Sequence, residues 1–293
     1  AHNRRMPAPA ILRLLRPHQW AKNALVFVAL LTSHRWRDGG ALLAAALAFA
    51  AFCATSSAVY VFNDARDVDD DRRDAAKRKR PFASGELEPR IAWWLVPLLL
   101  AIAAACAWPL PVPAGVALAV YAATAFAYCL LLKRLLWLDV VALAGLYTVR
   151  VVAGAAAIAV VMSPWLLAFS GFVFASLAAL KRYADLVRHD GGDLAGRAWR
   201  AADATPLLAL GAAAAMTGVL VLALYVNSPD VRVLYRTPGW IWLLCPAMLY
   251  WLARLWTLAA RGRIDADPLL FALRDPASWG VAASFALILG LAL

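Results

Sequence analysis

Apolar residues in this chain run on without interruption, and neither a two-residue alternation nor a one-sided helical stripe organises them. Nine such stretches can be drawn, at approximately 22–36, 40–62, 91–108, 113–132, 138–160, 164–181, 205–227, 239–260 and 277–293. Most approach the ~20 residues that a helix needs to cross a hydrocarbon core about 30 Å thick. Backbone groups find no water there, so each stretch is expected to be a helix, and the ten-residue alternation of a transmembrane barrel is missing. The expected fold class is therefore an all-α polytopic membrane protein with nine spans, organised as one domain over 1–293. Two polar connections are long, 63–90 and 182–204, while 109–112 and 161–163 are very short. No internal repeat is visible.

Composition agrees with this pattern. Of 293 residues 64% are hydrophobic and 16% charged, against roughly 25% charged in soluble domains. No cleavable leader pattern follows the polar, basic N-terminal segment, so the first span is expected to stay in the mature protein. The four cysteines lie inside apolar stretches and read as small hydrophobes, and the four histidines lack ligand spacing, so neither zinc nor haem is expected.

The net charge of +11 changes the picture only through its distribution. Of the 29 Lys and Arg, 24 fall on the side of the N-terminal segment and four, Arg35, Arg37, Arg232 and Arg236, on the other, with Arg150 inside a span. The positive-inside rule then places the N-terminus in the cytoplasm and the C-terminus outside. Both long loops face the cytoplasm in this reading. Cations scattered over short connections are not a nucleic-acid surface, and no nucleic-acid partner is expected.

The first candidate site begins where the second span ends. Asn63-Asp64-Ala-Arg-Asp67-Val-Asp69-Asp70-Asp71-Arg-Arg-Asp74 packs six carboxylates into eleven residues. If the helix continues, Asn63, Asp64, Asp67, Asp71 and Asp74 share an arc of roughly a quarter turn and Asp69 points away. Oxygen-only ligands suit a hard cation, and Mg2+ characteristically uses one or two carboxylates together with substrate phosphates. The bland alternative is a solvated acidic turn balanced by nearby cations. Immediately downstream, Lys77, Arg78, Lys79 and Arg80 suit a metal-bound diphosphate, or equally a topology signal or lipid-headgroup contact.

A second constellation closes the sixth span, where Lys181, Asp185 and Arg188 share a helical face with Arg182 at its edge. It reads as a phosphate-holding surface or as a helix-end salt bridge. Asp139 and Arg150 lie at membrane depth on almost one face, which suggests function, or else a tie to another span. Tyr128, Lys133 and Arg134 close the fourth span. Arg16-Pro-His-Gln19-Trp20-Ala-Lys22-Asn23 offers donors near the start of the chain, or an interfacial anchor.

Asn63-Asp64-x-x-Asp67-x-x-x-Asp71 resembles the first aspartate motif of the UbiA superfamily of intramembrane prenyltransferases. Arg16-Pro-x-Gln19-Trp20-x-Lys22-Asn23, Lys77-Arg78-x-Arg80-Pro81, Leu138-Asp139-Val140, Tyr147-x-x-Arg150-x-x-Ala153-Gly154, Ser163-x-Trp165 and Lys181-Arg182-Tyr183 resemble its decaprenyl-phosphate phosphoribosyltransferase branch. The likeness covers nearly the whole chain. It implies nine helices around a cytoplasm-facing cavity in the inner membrane. It also implies phosphoribosyl diphosphate as donor, a polyprenyl phosphate lipid as acceptor, diphosphate as the second product and Mg2+ as cofactor, with a role in arabinan precursor and cell wall biosynthesis. Where ordinary prenyltransferases carry a second Asp-x-x-x-Asp cluster, this chain has Lys181, Arg182 and a single Asp185.

On this basis Asp64, Asp67 and Asp185 are the expected catalytic residues, and Asn63, Asp64, Asp67 and Asp71 the metal ligands. Lys22, Asn23, Lys77, Arg78, Arg80, Tyr128, Lys133, Asp139, Arg150, Lys181 and Arg182 are the expected substrate-binding residues. A phosphate monoester with a second pKa near ~6 is already anionic at neutral pH, so the acceptor needs no general base. Competing readings are a prenyltransferase using a prenyl diphosphate donor and a small acceptor, and a non-enzymatic transporter or structural membrane protein. A homo-oligomer is compatible with the sequence.

Overall fold

The computed structural model describes residues 9–74, 77–188, 197–264 and 267–293. His2, Arg4, Arg5 and the 189–196 stretch of the second long loop, with His189, lie outside the described residues. Among the described residues every regular element is helical. Seven helical segments among the described residues are long and apolar enough to cross a membrane: Gly39–Arg66, Pro89–Ala107, Val112–Leu130, Leu138–Ala157, Pro164–Arg188, Ala201–Val226 and Pro238–Ala260. Seven of the nine expected stretches are thus accounted for. The last, Pro276–Ala292, is a shorter apolar helix, and the first is built differently. The chain divides into two compact units, one comprising the residues up to Leu130 with Val149–Val161, the other Leu131–Thr148 with Met162–Leu293.

In the first unit, α1 (Ala10–Leu15) stops because Arg16 precedes Pro17, whose ring disfavours a right-handed helical residue before it. Arg16 instead adopts φ 51° and ψ 59°. A 3-10 segment, Pro17–Phe27, and the short α2 (Val28–Thr32) follow in place of one long span. The 3-10 run is longer than such helices usually are. Its backbone lies directly on Gly154, where an added Cβ would come within 2.0 Å of the Val26 carbonyl oxygen.

Asp38 opens α3 (Gly39–Arg66) by accepting the amides of Gly40 and Ala41. Ala41, Ala45, Ala48 and Ala51, at helical spacing, bury the face of α3 with side chains small enough for close packing. After α4 (Val68–Arg73) come α5 (Ala92–Ala107) and α6 (Val112–Leu130). Leu14, Ala58, Val61, Val68, Phe82 and Leu99 form one buried cluster that ties α1, α3, the loop after α4 and α5 together. The rest of α5 faces outward: Leu98, Ile102 and the flanking Trp93, Trp94 and Trp108 are all exposed.

The helix α7 (Leu138–Ala157) contributes its beginning to the second unit and its end to the first. The second unit continues with α8 (Pro164–Arg188), α9 (Ala204–Val226), α10 (Pro229–Leu234), α11 (Leu244–Ala260), α12 (Pro268–Ala272) and α13 (Pro276–Ala292). α8 packs along α9, and Gly211 in α9 leaves room for the Trp256 ring of α11, which an added Cβ would meet at 2.3 Å. The Trp256 indole donates to Ser176 Oγ at 3.0 Å, satisfying its one polar atom inside the packing. Val226, Val231, Tyr235, Ile241, Leu244, Ile288 and Ala292 form a second cluster that seats α13.

Candidate active site

Asp67, at φ −93° and ψ 20°, separates α3 from α4. Helical register nevertheless crosses the break, because Asp67 N donates to Asn63 O at 2.9 Å and Asp71 N to Asp67 O at 2.8 Å. The expected arc survives over Asn63, Asp64, Asp67 and Asp71, whereas Asp74, expected on the same arc, follows the end of α4 with an extended backbone at φ −85° and ψ 120°. Asp64 and Asp71 are 2% and 3% exposed, Asn63 and Asp67 are half-buried, and the Asp69 side chain is 85% exposed.

Two guanidinium groups meet the buried carboxylates. Arg16 Nη2 donates to both oxygens of Asp64, at 2.6 and 2.8 Å, while its guanidinium carbon lies 5.1 Å from the centre of the Tyr60 ring. Arg80 Nη1 donates to Asp64 Oδ1 at 3.1 Å and to Asp71 Oδ2 at 2.7 Å. Arg80 is aimed by its neighbours: after Pro81, Phe82 enters the core beside Val61 and Val68. Burial pushes the Asp71 carboxyl above the usual range, and the Arg80 charge and hydrogen bond oppose that rise. Of the four cations in this run, Lys77, Arg78 and Lys79 are exposed, and Lys77 pairs with Asp74 at 3.1 Å. The sequence reading included Arg80 but left Arg16 outside the site, although the unusual conformation before Pro17 is what turns it inward.

Lys22 and Asn23 are buried in the first unit. Asn23 donates to Ser56 Oγ at 3.2 Å and to Cys53 Sγ at 3.3 Å, and its oxygen accepts Arg150 Nε at 2.8 Å. Arg150 Nη2 donates to the Tyr121 hydroxyl at 2.8 Å, and its guanidinium lies 4.5 Å from the centre of that ring. Of the two readings the sequence allowed for Arg150, these contacts match a tie between spans. Tyr128 is half-buried near the end of α6, as is Lys133 in the following turn of the second unit.

In the second unit Asp139 is fully buried and Arg182 is 1% exposed, and they form a forked ion pair in which Nε and Nη2 of Arg182 donate to the two carboxylate oxygens. Trp199 Nε1 adds a third donor to Asp139 at 2.7 Å, and Arg197 lies at 3.4 Å. Arg182 Nη1 also reaches Asp185 Oδ2 at 2.8 Å, and Arg188 holds the other oxygen of Asp185. Lys181 does not pair with Asp185. Its Nζ donates to Asp267 Oδ2 at 2.9 Å, and the Tyr147 hydroxyl donates to that same oxygen at 2.9 Å. Neither Asp267 nor Trp199 was assigned a role from the sequence. The Asp-Pro pair opening α12 was the available signal for Asp267.

The acidic cluster suits a hard divalent cation by its donor set. Among the described residues no three His, Cys, Asp or Glu side chains converge on one point as ligands. Two buried carboxylate oxygens, Asp64 Oδ1 and Asp71 Oδ2, do face one shared atom, Arg80 Nη1, with Asn63 and Asp67 alongside. Magnesium asks for no more than one or two carboxylates when water and substrate phosphate complete its shell.

The chain is 35% identical over 297 residues to the nodulation protein NoeC of Azorhizobium caulinodans, covering 99% of this chain and 93% of that protein. It is 34% identical to the uncharacterized protein y4nM of Sinorhizobium fredii over 96% of its own length but spans only 55% of that longer relative. The decaprenyl-phosphate phosphoribosyltransferase of Mycolicibacterium smegmatis is 35% identical over 182 residues, 60% of this chain and 57% of that enzyme. Among solved structures, a UbiA homolog from Archaeoglobus fulgidus bound to GPP and Mg2+ superposes with a TM-score of 0.74 at 18% identity, over 96% of this chain and 99% of that one. The match to the UbiA prenyltransferase family runs from residue 24 to 288, through both compact units, and the chain belongs to that family.

Proposed function

We propose that this chain is a multi-pass transferase of the inner membrane that moves 5-phosphoribose from phosphoribosyl diphosphate onto a polyprenyl phosphate, releasing diphosphate in a Mg2+-dependent reaction on the cytoplasmic side. The observation that carries the reading is the pair of buried carboxylates, Asp64 and Asp71, which share Arg80 just past a helix long and apolar enough to cross a membrane. Lys181 and Arg182, the cations that stand where ordinary prenyltransferases carry a second aspartate cluster, both lie against acids in the structure. The named relatives at 33–35% identity over about 60% of the chain support the phosphoribosyl donor.

In this reading Asp64, Asp67 and Asp71 with Asn63 would hold the cation, and Arg16 and Arg80 would exchange their carboxylate partners for oxygens of the donor's diphosphate. Guanidinium forks match such oxygens well. When bound, magnesium supplies charge neutralisation to the departing diphosphate. Lys181, with 25% of its side chain exposed, takes a substrate phosphate oxygen. To Asp185, held by Arg182 and Arg188, we assign stabilisation of the positive charge that develops on ribose C1 as the bond to diphosphate breaks. The lipid phosphate oxygen forms the new bond to C1. It is anionic near neutrality, with a second pKa of about 6, and no side chain has to remove a proton from it.

The test is direct. Purified protein reconstituted in lipid receives Mg2+, a polyprenyl phosphate and labelled phosphoribosyl diphosphate, with a parallel mixture of a prenyl diphosphate and small aromatic acceptors. Label entering the lipid fraction of the first mixture supports the proposal, whereas diphosphate release confined to the second means prenyl transfer and refutes it.

A further inference from the structure

The loop between α11 and α12 carries a carboxylate whose two oxygens do different work. Asp267 precedes Pro268 and is extended, at φ −61° and ψ 133°, as a residue before proline prefers. Its Oδ1 accepts the amide of Leu269 at 3.2 Å and so opens α12, which fixes where the carboxylate stands. Its Oδ2 accepts Lys181 Nζ from α8 and the Tyr147 hydroxyl from α7, both at 2.9 Å. Asp267 and Tyr147 are 7% and 5% exposed, while Lys181 keeps 25% of its side chain open. An ammonium has three N–H donors, and the contact with Asp267 uses one. Three helices thereby converge on one oxygen, and the member left partly open is the cation.

From this geometry we infer that Asp267 is a positioning residue that aims the Lys181 ammonium at a phosphate oxygen of the substrate, with Tyr147 fixing the angle of the carboxylate. The inference rests on the assignment of Lys181 to a substrate phosphate. It places the carboxylate that complements Lys181 in the C-terminal part of the chain, not four residues along α8. A lysine stem has four rotatable bonds, and an unanchored ammonium loses rotamer freedom on meeting an anion. Anchoring through Oδ2 removes that loss before the phosphate arrives.

Inorganic diphosphate with Mg2+ is a suitable probe, because either transfer reaction releases it. Its binding is measured by titration calorimetry on reconstituted wild type, Asp267→Asn, Lys181→Gln, the double variant and Tyr147→Phe, with thermal unfolding recorded in parallel. An asparagine side chain has one acceptor oxygen and cannot both open α12 and receive two donors. Asp267→Asn and Lys181→Gln are each expected to weaken binding about tenfold. The double variant is expected to bind no worse than Lys181→Gln, because the two act through one contact. Tyr147→Phe is expected to weaken binding by a smaller factor at nearly unchanged unfolding temperature.

Additive losses in the double variant, or Asp267→Asn that melts earlier yet binds diphosphate as wild type, would reduce Asp267 to a helix cap and overturn the inference. Absence of diphosphate binding by wild type, or normal binding by Lys181→Gln, would also overturn it. Coupled binding losses without phosphoribosyl turnover would uphold the pair and sink the phosphoribosyl reading alone.

Discussion

Asp64 and Asp71, on opposite sides of a helix break, share one atom: Arg80 Nη1 lies 3.1 Å from an oxygen of the first and 2.7 Å from an oxygen of the second. The break at Asp67 changes the backbone angles without disturbing the hydrogen-bond register, which is why two acids seven positions apart converge. Asp67 itself is half-buried, less enclosed than Asp64 and Asp71 on either side of it. Its amide variant is therefore the gentlest probe of the acidic cluster. Asp67→Asn is expected to lower phosphoribosyl transfer at least about 100-fold with helical content and lipid incorporation unchanged. Near-normal transfer would take Asp67 out of the metal and catalytic roles.

Neighbouring cations at the end of α8 are expected to behave in opposite ways. Arg182→Gln leaves Asp139 buried and without its fork, a loss of about 3–5 kcal/mol when one partner of a buried pair is removed, so the variant should aggregate or melt early. Lys181→Gln should remain monodisperse and lose substrate affinity. Size-exclusion profiles and binding titrations on the two variants check the contrast.

At Gly154 the first unit has no slack, because a Cβ there would stand 2.0 Å from the carbonyl oxygen of Val26 and 2.8 Å from its carbonyl carbon. Backbone cannot turn aside as a flexible side chain can. Gly154→Ala is expected to cost about 2 kcal/mol or more and to loosen the 3-10 segment that carries Lys22 and Asn23. Thermal unfolding and proteolysis near residues 17–27 are the measurements.

Arg150 is expected to matter for stability through Asn23. Arg150→Lys cannot keep both the Nε contact to Asn23 and the Nη2 contact to Tyr121, so a loss of about 1–3 kcal/mol follows. Asn23→Ala should cost less once Arg150 has been replaced, because only its contacts to Ser56 and Cys53 are then left to lose. Full additivity of the two losses in unfolding measurements would contradict this coupling.

The start of α13 predicts a pH dependence with a defined sign. Burial on its own would raise the Asp275 carboxyl, but the Arg254 fork and the two donors of Ser278 outweigh it, and the group titrates below the usual aspartate range. Because the folded-state pKa is depressed, the stability it lends is complete above the unfolded pKa and is lost as pH falls through the folded value. Wild type and Asp275→Asn should therefore differ most in unfolding temperature near neutrality and converge in acid. Parallel curves across that range would contradict the assignment.

The sequence reveals the spans, the acidic arc and the membrane setting because uninterrupted apolar runs and helical spacing are local properties. Asp69 pointing outward and Asp64 and Asp71 pointing inward follow from about 100° per residue alone. The pairings are not local. Lys181 is bound to Asp267, 86 positions away, and Arg182 to Asp139, 43 positions away, while spacing alone nominated the i,i+4 partner Asp185. The stretch around 22–36 failed as a regular span for a comparable reason, since the conformation imposed before Pro17 and the backbone approach at Gly154 depend on tertiary neighbours.

The outward face of α5 has a practical consequence for anyone rebuilding the protein in synthetic lipid. Trp93 and Trp94 mark one end of that helix and Trp108 the other, each at least 80% exposed, and aromatic rings of this kind settle at the headgroup level. Their separation along the helix is about 22 Å at 1.5 Å per residue, so α5 behaves as a gauge of acyl-chain length. Short-chain lipids match that gauge, and long-chain ones force it to tilt or thin its surroundings.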